Sequence, residues 1–357
     1  MNKKQLIKEL FTAPEHAIEA VNLIYTSDHS LGIKRKRKQK EFTYYYKNTP
    51  VTSSKTLNRI KDLAIPPAWD KVRIAIPENG HLQAVGRDAK NRKQYRYHPV
   101  WNSIRNQTKF YRMGTFAKVL PTVREKADKD ITQKGWPKSK VLGLIVKLME
   151  ETHIRIGNEQ YAKRNKTYGL STLRSKHLNI FKNAIKFEFT GKKGKKHNVT
   201  LRNKKLMRLV LQSEELPGWE LFQYYDEDGD KHTIDSTMVN TYLQEISKTT
   251  ITAKDFRTWA GTLKVFEALY EMGITNNEKE IKQNMILALE QASKALGNTR
   301  NVCKKYYVHP FVISSYKDQS IANSFHKIDQ IQDQPFFTAS EQSLMHLLEQ
   351  YKPEFLD

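Results

Sequence analysis

The segment T-Q-K-G-W-P-K, residues 132–138, limits the possible folds more than any other. Gly135 and Pro137 interrupt the chain there, between two stretches of different hydrophobic period. Glycine weakens a helix, and proline removes a backbone donor, so no regular element is expected to run through them. Ahead of the break, strand signals dominate. E-F-T-Y-Y-Y-K (41–47) is rich in aromatic residues, and K-V-R-I-A-I (71–76) alternates polar and apolar. H-L-Q-A-V-G-R-D-A-K-N-R-K-Q-Y-R-Y-H-P (81–99) reads as two strands joined around residues 88–91. Behind the break, Leu142, Ile145, Val146 and Met149 recur at i, i+3, i+4 and i+7, the apolar stripe of a helix. The expected fold class is therefore α+β. A small β-rich N-terminal domain takes residues 1–132, and a larger, mostly α-helical domain with a β-hairpin takes residues 133–357.

Helices are also expected over residues 53–63, 101–116 and 123–130, and Gly169 looks like a helix C-cap residue. The hairpin is I-K-F-E-F-T and H-N-V-T-L-R around the tip G-K-K-G-K-K. A further strand, W-E-L-F-Q-Y-Y, turns at the acidic run 226–230. That run lacks the glutamate-terminated spacing of a calcium loop. Ile281, Met285, Leu289 and Ala292 form the core face of a later helix, and an amphipathic helix is expected over 340–351.

Charge narrows the function. The formal net charge is +23 over 357 residues, an excess that points to a polyanionic partner, nucleic acid being the usual one. Residues 34–40, K-R-K-R-K-Q-K, read either as a solvated loop or as a contact to a DNA backbone. The one cysteine, Cys303, excludes an intramolecular disulfide and a Cys-based zinc site, and is expected to be a small packed residue. The histidines show no ligand-type spacing, and no phosphate-binding G-x-x-x-x-G-K-[ST] loop occurs. Neither a metal nor any other cofactor is expected. With no apolar run near the roughly 18 residues of a membrane span and no secretory signal at the N-terminus, a cytoplasmic protein is expected.

The chemistry-bearing stretch is N-T-R-N-V-C-K-K-Y-Y-V-H-P, residues 298–310. Tyr306 and Tyr307 stand beside Lys304 and Lys305. A phenol with a pKa of about 10 is a weak nucleophile at neutral pH, and fixed cations favour its phenolate. Three other cations have unusual settings. Arg155 is embedded in I-R-I-G-N. Arg257 lies between Phe256 and Trp259, where stacking on Trp259 is one reading. Lys192 stands at the tip of the basic hairpin. Each alone reads as structural or solvated. Together they fit in-line attack on a phosphodiester, with two forked guanidiniums for the non-bridging oxygens and a lysine to protonate the leaving oxygen.

The blocks G-R-D-A-K-N-R-K-Q-Y-R-Y-H-P, R-I-G-N-E-Q-Y, Y-G-L-S-T-L-R-S-K-H, F-T-G-K-K-G, K-D-F-R-T-W and L-G-N-T-R-N-V-C-K-K-Y-Y-V-H-P, in this order, resemble the type IB DNA topoisomerases of the compact bacterial and poxvirus-like branch. The resemblance runs from about residue 32 to residue 310. It implies a catalytic domain related to the tyrosine recombinase fold, with Tyr307 as nucleophile, Arg155 and Arg257 on the phosphate, and Lys192 as general acid. A histidine of the poxvirus enzymes is replaced by Asn298, whose amide donates without charge. The resemblance further makes Arg92, Lys93, Gln94, Tyr95, Tyr97 and Tyr161 candidates for DNA binding. Implied in turn are a monomer that clamps double-stranded DNA beside the nucleoid, a 3′-phosphotyrosyl intermediate, strand swivelling and religation, without ATP or metal. A tyrosine recombinase or integrase-type strand transferase is the alternative. Those enzymes show H-x-x-R around the second arginine, where this chain has Lys254.

Overall fold

The computed structural model describes residues 3–39 and 41–356. It divides into two compact units. The first comprises the chain up to Tyr111 together with the segment from Lys352 onward, and the second is Arg112–Tyr351.

The first unit is built on one antiparallel sheet. Its strands are β1 (Ile33–Lys38), β2 (Glu41–Tyr46), β3 (Thr49–Pro50), β4 (Asp70–Ile74), β5 (Leu82–Arg87) and β6 (Lys93–Tyr97), in the order β3-β2-β1-β4-β5-β6. Helices α1 (Lys3–Thr12), α2 (Pro14–Ala17), α3 (Ser54–Asp62) and α4 (Pro99–Tyr111) complete it. Alternation assigns the two faces of the sheet. Ile33, Val72, Ile74 and Ala84 form a buried cluster with Ile60 of α3. Lys34 and Arg73 are register partners on the opposite face, as are Arg87 and Lys93. With Lys36 and Lys71 they line a cavity of about 490 Å³.

The basic run at 34–38 is thus a strand, not a loop. Its alternate residues divide the labour. Arg35 leaves the solvated row and donates to the carbonyls of Ile65, Pro66 and Trp69 at 3.3, 3.1 and 2.6 Å. Its guanidinium lies 4.2 Å from the centre of the Phe42 ring, a cation–π contact that offsets its burial. Lys40 lies outside the described residues.

The second unit is mostly helical. It comprises α5 (Met113–Asp130), α6 (Lys138–Thr152), α7 (Glu159–Asn165), α8 (Lys204–Glu214), α9 (Ser236–Ser247), α10 (Ala253–Met272), α11 (Glu278–Ala295), α12 (Arg300–Tyr306), α13 (Pro310–Lys317), α14 (Ala322–Gln330) and α15 (Ala339–Glu349). A three-stranded sheet β7 (Leu178–Phe181), β8 (Ala184–Thr190), β9 (Lys196–Leu201) and a hairpin β10 (Gln223–Tyr225), β11 (Lys231–Thr233) interrupt the helices. The division between units falls at residues 111/112, ahead of the 132/133 border expected from Gly135 and Pro137. The reason is packing. Phe116, Leu120, Val123 and Ala127 of α5 share one core with Val141, Leu144 and Ile145 of α6, so the Gly-Pro break is a turn inside that core. Gly169 is also not a helix C-cap. Its backbone is extended at φ −157, and the left-handed cap of α7 is Lys166, φ 53. Among the described residues no helix is long and apolar enough to cross a membrane.

A buried ion cluster ties α15 to the rest of this unit. Arg124 donates to Glu150 at 2.8 Å and, through two nitrogens, to Glu341 at 2.7 Å. Glu341, 2 % exposed, also accepts from Trp259 Nε1 of α10 at 3.1 Å. Removing Glu341 strips Arg124 of its two-nitrogen partner, leaving it Glu150, and orphans the buried Trp259 indole N–H, a loss of about 3–5 kcal/mol. Glu341→Ala is therefore expected to lower the unfolding free energy by about that amount, read from denaturant melts. A loss under about 1 kcal/mol, the range of an exposed pair, would refute this assignment.

Candidate active site

Helix α6 ends at His153, whose left-handed backbone (φ 52) turns the chain into the loop 153–157. That loop carries Arg155 and is fixed from behind. Leu170 N–H donates to the Arg155 carbonyl at 2.8 Å, and Ser171 N–H to the Ile156 carbonyl at 2.7 Å. The approach is so close that a Cβ on Gly169 would lie 2.4 Å from the Arg155 carbonyl oxygen. Proximity, not capping, is what Gly169 supplies.

Helix α10 presents Arg257, 5 % exposed. Its guanidinium donates to the His153 carbonyl and, at 2.8 Å, to the Leu296 carbonyl. It does not stack on Trp259, whose indole N–H is committed to Glu341. Instead it lies 5.1 Å from the centre of the Tyr307 ring. Further along the same helix, Gly261 and Thr262 receive the tyrosine's backbone. A Cβ on Gly261 would stand 2.7 Å from the Tyr307 carbonyl oxygen. The Thr262 hydroxyl, which donates to the Thr258 carbonyl at 2.7 Å, lies 3.3 Å from that Tyr307 oxygen and accepts from His309 N–H at 3.0 Å.

Tyr307 sits at the C-terminal cap of α12, its N–H bonded to the Cys303 carbonyl at 2.9 Å. Cys303 itself is fully buried, and burial pushes its thiol up to about 11. The Tyr307 side chain is half-buried. Arg155 reaches its hydroxyl at 3.5 Å, and the same guanidinium nitrogen donates to Asn298 Oδ1 at 2.8 Å. Burial alone would raise the phenol's pKa, but Arg155 and then Arg257 outweigh it, so the net shift is downward. Tyr306 is different, 46 % exposed, with Lys305 5.5 Å from its ring centre.

Two guanidiniums so close are unfavourable by themselves. Burial, and then Arg155, lower Arg257 to about 10, which still leaves it a cation at neutral pH. Two buried donors, Arg257 Nε and Asn298 Nδ2, have no acceptor among the described residues. Such donors cost about 1–3 kcal/mol each unless an acceptor arrives. Positive charge, unused donors and a phenol of lowered pKa together suit a tetrahedral anion held for attack.

The fold thus brings together Arg155, Arg257, Asn298 and Tyr307. Lys192 stands apart at the exposed turn between β8 and β9, with no hydrogen bond or ion pair among the described residues. In the first unit, Asp88 holds both Arg92, at 2.7 Å, and Gln94, at 3.0 Å. Lys93 pairs with Asp28. The Tyr95 and Tyr97 rings stack at 5.9 Å, Tyr95 being 42 % exposed. Tyr161, 53 % exposed, lies in the first turn of α7 in the second unit. Gly261 and Thr262 also shape the site and were not singled out from the sequence. For Gly261 there was a signal: a glycine four positions after Arg257 lies on the same helix face.

Residues 92–334 match the family described as eukaryotic DNA topoisomerase I, catalytic core. Residues 41–88 match the family described as bacterial DNA topoisomerase IB, N-terminal domain. The chain is 34% identical over 314 residues to DNA topoisomerase 1B of Acanthamoeba polyphaga mimivirus, an alignment that covers 85% of this chain and 94% of the relative. It is 24% identical over 243 residues to DNA topoisomerase 1B of vaccinia virus (strain Copenhagen), covering 66% and 73%. With DNA topoisomerase 1 of rabbit fibroma virus (strain Kasza) it shares 26% over 230 residues, covering 63% and 68%.

Gly261 generates a sharp expectation. Gly→Ala inside a helix ordinarily stabilises by about 1 kcal/mol, but here the new methyl meets a backbone carbonyl that cannot rotate away. Gly261→Ala should leave thermal stability nearly unchanged and slow DNA cleavage by about a hundred-fold, the effect of a shift near 1 Å at a reacting group. Single-turnover rates check it. A wild-type rate would mean that the Tyr307 carbonyl yields without moving the phenol.

Proposed function

The chain belongs to the type IB DNA topoisomerase family and is a DNA topoisomerase; from that premise we propose that Tyr307 cuts one strand of duplex DNA and holds the cut end covalently. The Tyr307 oxygen attacks the phosphorus of a phosphodiester. A Tyr–O–P bond forms at the 3′ end, the P–O5′ bond breaks, and the 5′-oxygen takes a proton from Lys192. The phenol's own proton is lost to solvent. Arg155 and Arg257 neutralise the charge that grows on the non-bridging oxygens, and the Asn298 amide donates a further hydrogen bond. The 5′ end swivels, supercoils relax, and the 5′-hydroxyl then attacks phosphorus to expel the tyrosine. One phosphate ester replaces another, so resealing needs no ATP, and the protein's own cations do the charge stabilisation.

What supports this reading most is the convergence of Arg155, Arg257 and Asn298 around the Tyr307 side chain. Nearby cations lower the phenol's pKa, which raises its phenolate fraction at any given pH. Asn298 Oδ1 is engaged by Arg155, so its NH₂ group faces away with no acceptor among the described residues. That suits a donor awaiting a phosphate oxygen. The exposed Lys192 turn suits an acid carried to the leaving oxygen when DNA binds. Arg92, Lys93, Gln94, Tyr95, Tyr97 and Tyr161 contact the duplex. The enzyme acts as a monomer, in the cytoplasm beside the nucleoid. The helical unit is related to the tyrosine recombinase fold, which uses the same nucleophile. Lys254, in K-D-F-R, occupies the place of the recombinase histidine and separates the two classes.

Relaxation of supercoiled plasmid in EDTA without ATP, with the covalent adduct trapped by detergent, tests the mechanism. Tyr307→Phe should still bind DNA but give neither relaxation nor adduct, and a Tyr307→Phe protein that nicks supercoiled DNA would overturn it. Asn298→Ala should slow cleavage by about a hundred-fold, the effect of removing one such donor. The cleavage rate should rise with pH along a limb below pH 10, the unperturbed phenol value. Arg155→Ala removes a charge that favours the phenolate, so it should move that limb upward. An unmoved limb would show that another group titrates.

A further inference from the structure

His197 takes no part in the mechanism above, yet its ring lies at the junction of two site-bearing segments. Along β9, alternation places Leu201, Val199 and His197 opposite Ile185, Phe187 and Phe189 of β8. Those three β8 residues are buried in the core. His197 therefore occupies the last inward position, where the pattern calls for an apolar side chain. Its ring stacks on Phe189 with centres 5.1 Å apart and planes 11° from parallel.

Two glycines bracket the ring. A Cβ on Gly191 would lie 2.6 Å from His197 Cδ2, and one on Gly297 would lie 3.1 Å from its Cε1. Gly191 has φ −98, a value open to any residue, so the space needed by the imidazole is what excludes a side chain there. Gly191 directly precedes Lys192, and Gly297 directly precedes Asn298. The two sides are held differently. The Asn298 loop is tied down by its own N–H to the Ser293 carbonyl at 2.9 Å and by Arg155. The turn 191–195 is closed internally by Gly191 N–H to the Lys195 carbonyl at 2.7 Å, with left-handed Lys193 and Gly194. A turn closed in this way moves as one piece, so whatever seats Gly191 also aims Lys192.

We propose that His197 is a positioning residue for Lys192: its ring wedges between Gly191 and Gly297 and sets the lysine-bearing turn against the fixed Asn298 loop. Its chemistry fits the place. Neither ring nitrogen has a hydrogen-bond partner among the described residues, so the ring acts by shape. Burial, then Arg155, Arg257 and Lys195, hold its pKa down to about 4. It thus adds no third positive charge beside the two arginines at neutral pH.

This inference rests on the reading of Lys192 as the general acid, and a change of leaving group separates the two. In a duplex whose scissile 5′-oxygen is replaced by sulfur, the P–S bond breaks to a thiolate, which leaves without a proton. On an ordinary phosphodiester, His197→Ala should cleave about a hundred-fold more slowly than the parent, within the range of a lost general acid. On the sulfur-bridged duplex the deficit should shrink to under about five-fold, and that of Lys192→Ala should shrink with it. Gly191→Ala, which displaces the same ring from the other side, provides a second variant should His197→Ala fail to fold, and should show the same sulfur-dependent recovery. If Lys192→Ala recovers and both the His197 and Gly191 variants do not, the positioning role is wrong. If Lys192→Ala does not recover either, the general-acid reading falls and this inference falls with it.

Discussion

Two guanidinium groups brought toward one phenol repel each other, and much of the second unit's local structure answers that repulsion. At an effective dielectric of about 20, a pair of unit charges 4 Å apart costs about 4 kcal/mol. Backbone and amide oxygens provide the compensation. The carbonyls of His153 and Leu296 take Arg257, and the Asn298 amide oxygen takes Arg155. Each acceptor comes from a chain end or loop: the left-handed end of α6, the end of α11, and the loop before α12. Helix ends have carbonyls to spare, so a cluster of cations gathers where helices stop. Fixing these groups before the substrate arrives is what gives the site its preorganisation.

Much of this was legible in the residues. Arg155, Arg257 and Tyr307 stood out by their local settings and Asn298 by the family resemblance, and the four meet. The hairpin β8–β9 and the face of α11 also follow from hydrophobic period, with Ile281, Leu289 and Ala292 buried. What escaped the sequence was orientation across long separations. Arg257 adjoins Trp259 in the chain, but the helix turns the two side chains apart, toward Tyr307 and Glu341. Gly169 looked like a cap because glycine caps helices so often, whereas its role is to let two backbones touch. Neither contact leaves a trace in local periodicity.

The basic run at 34–38 shows a different limit. Composition alone described it as one uniform charge tract. Pairing with β2 splits it: the Arg35 guanidinium serves the P-P-A-W segment, whereas Lys34 and Lys36 stay exposed. The same split occurs in the second unit, where Arg124 is buried among carboxylates and Lys192 stands exposed. A net charge of +23 is therefore no measure of the charge available to a polyanion. Part of it is committed to holding the fold.

The ion cluster around Glu341 bears on the order in which the protein is made. Chains emerge from the ribosome N-terminus first, so Tyr307 is synthesised before α15. Until Glu341 arrives, Arg124 and the Trp259 indole lack the carboxylate that joins them, and the helix bearing Arg257 lacks one of its supports. A nascent chain that already contains Tyr307 is thus held short of its finished core. The setting of Arg257 and Tyr307 is completed only as the downstream helix docks.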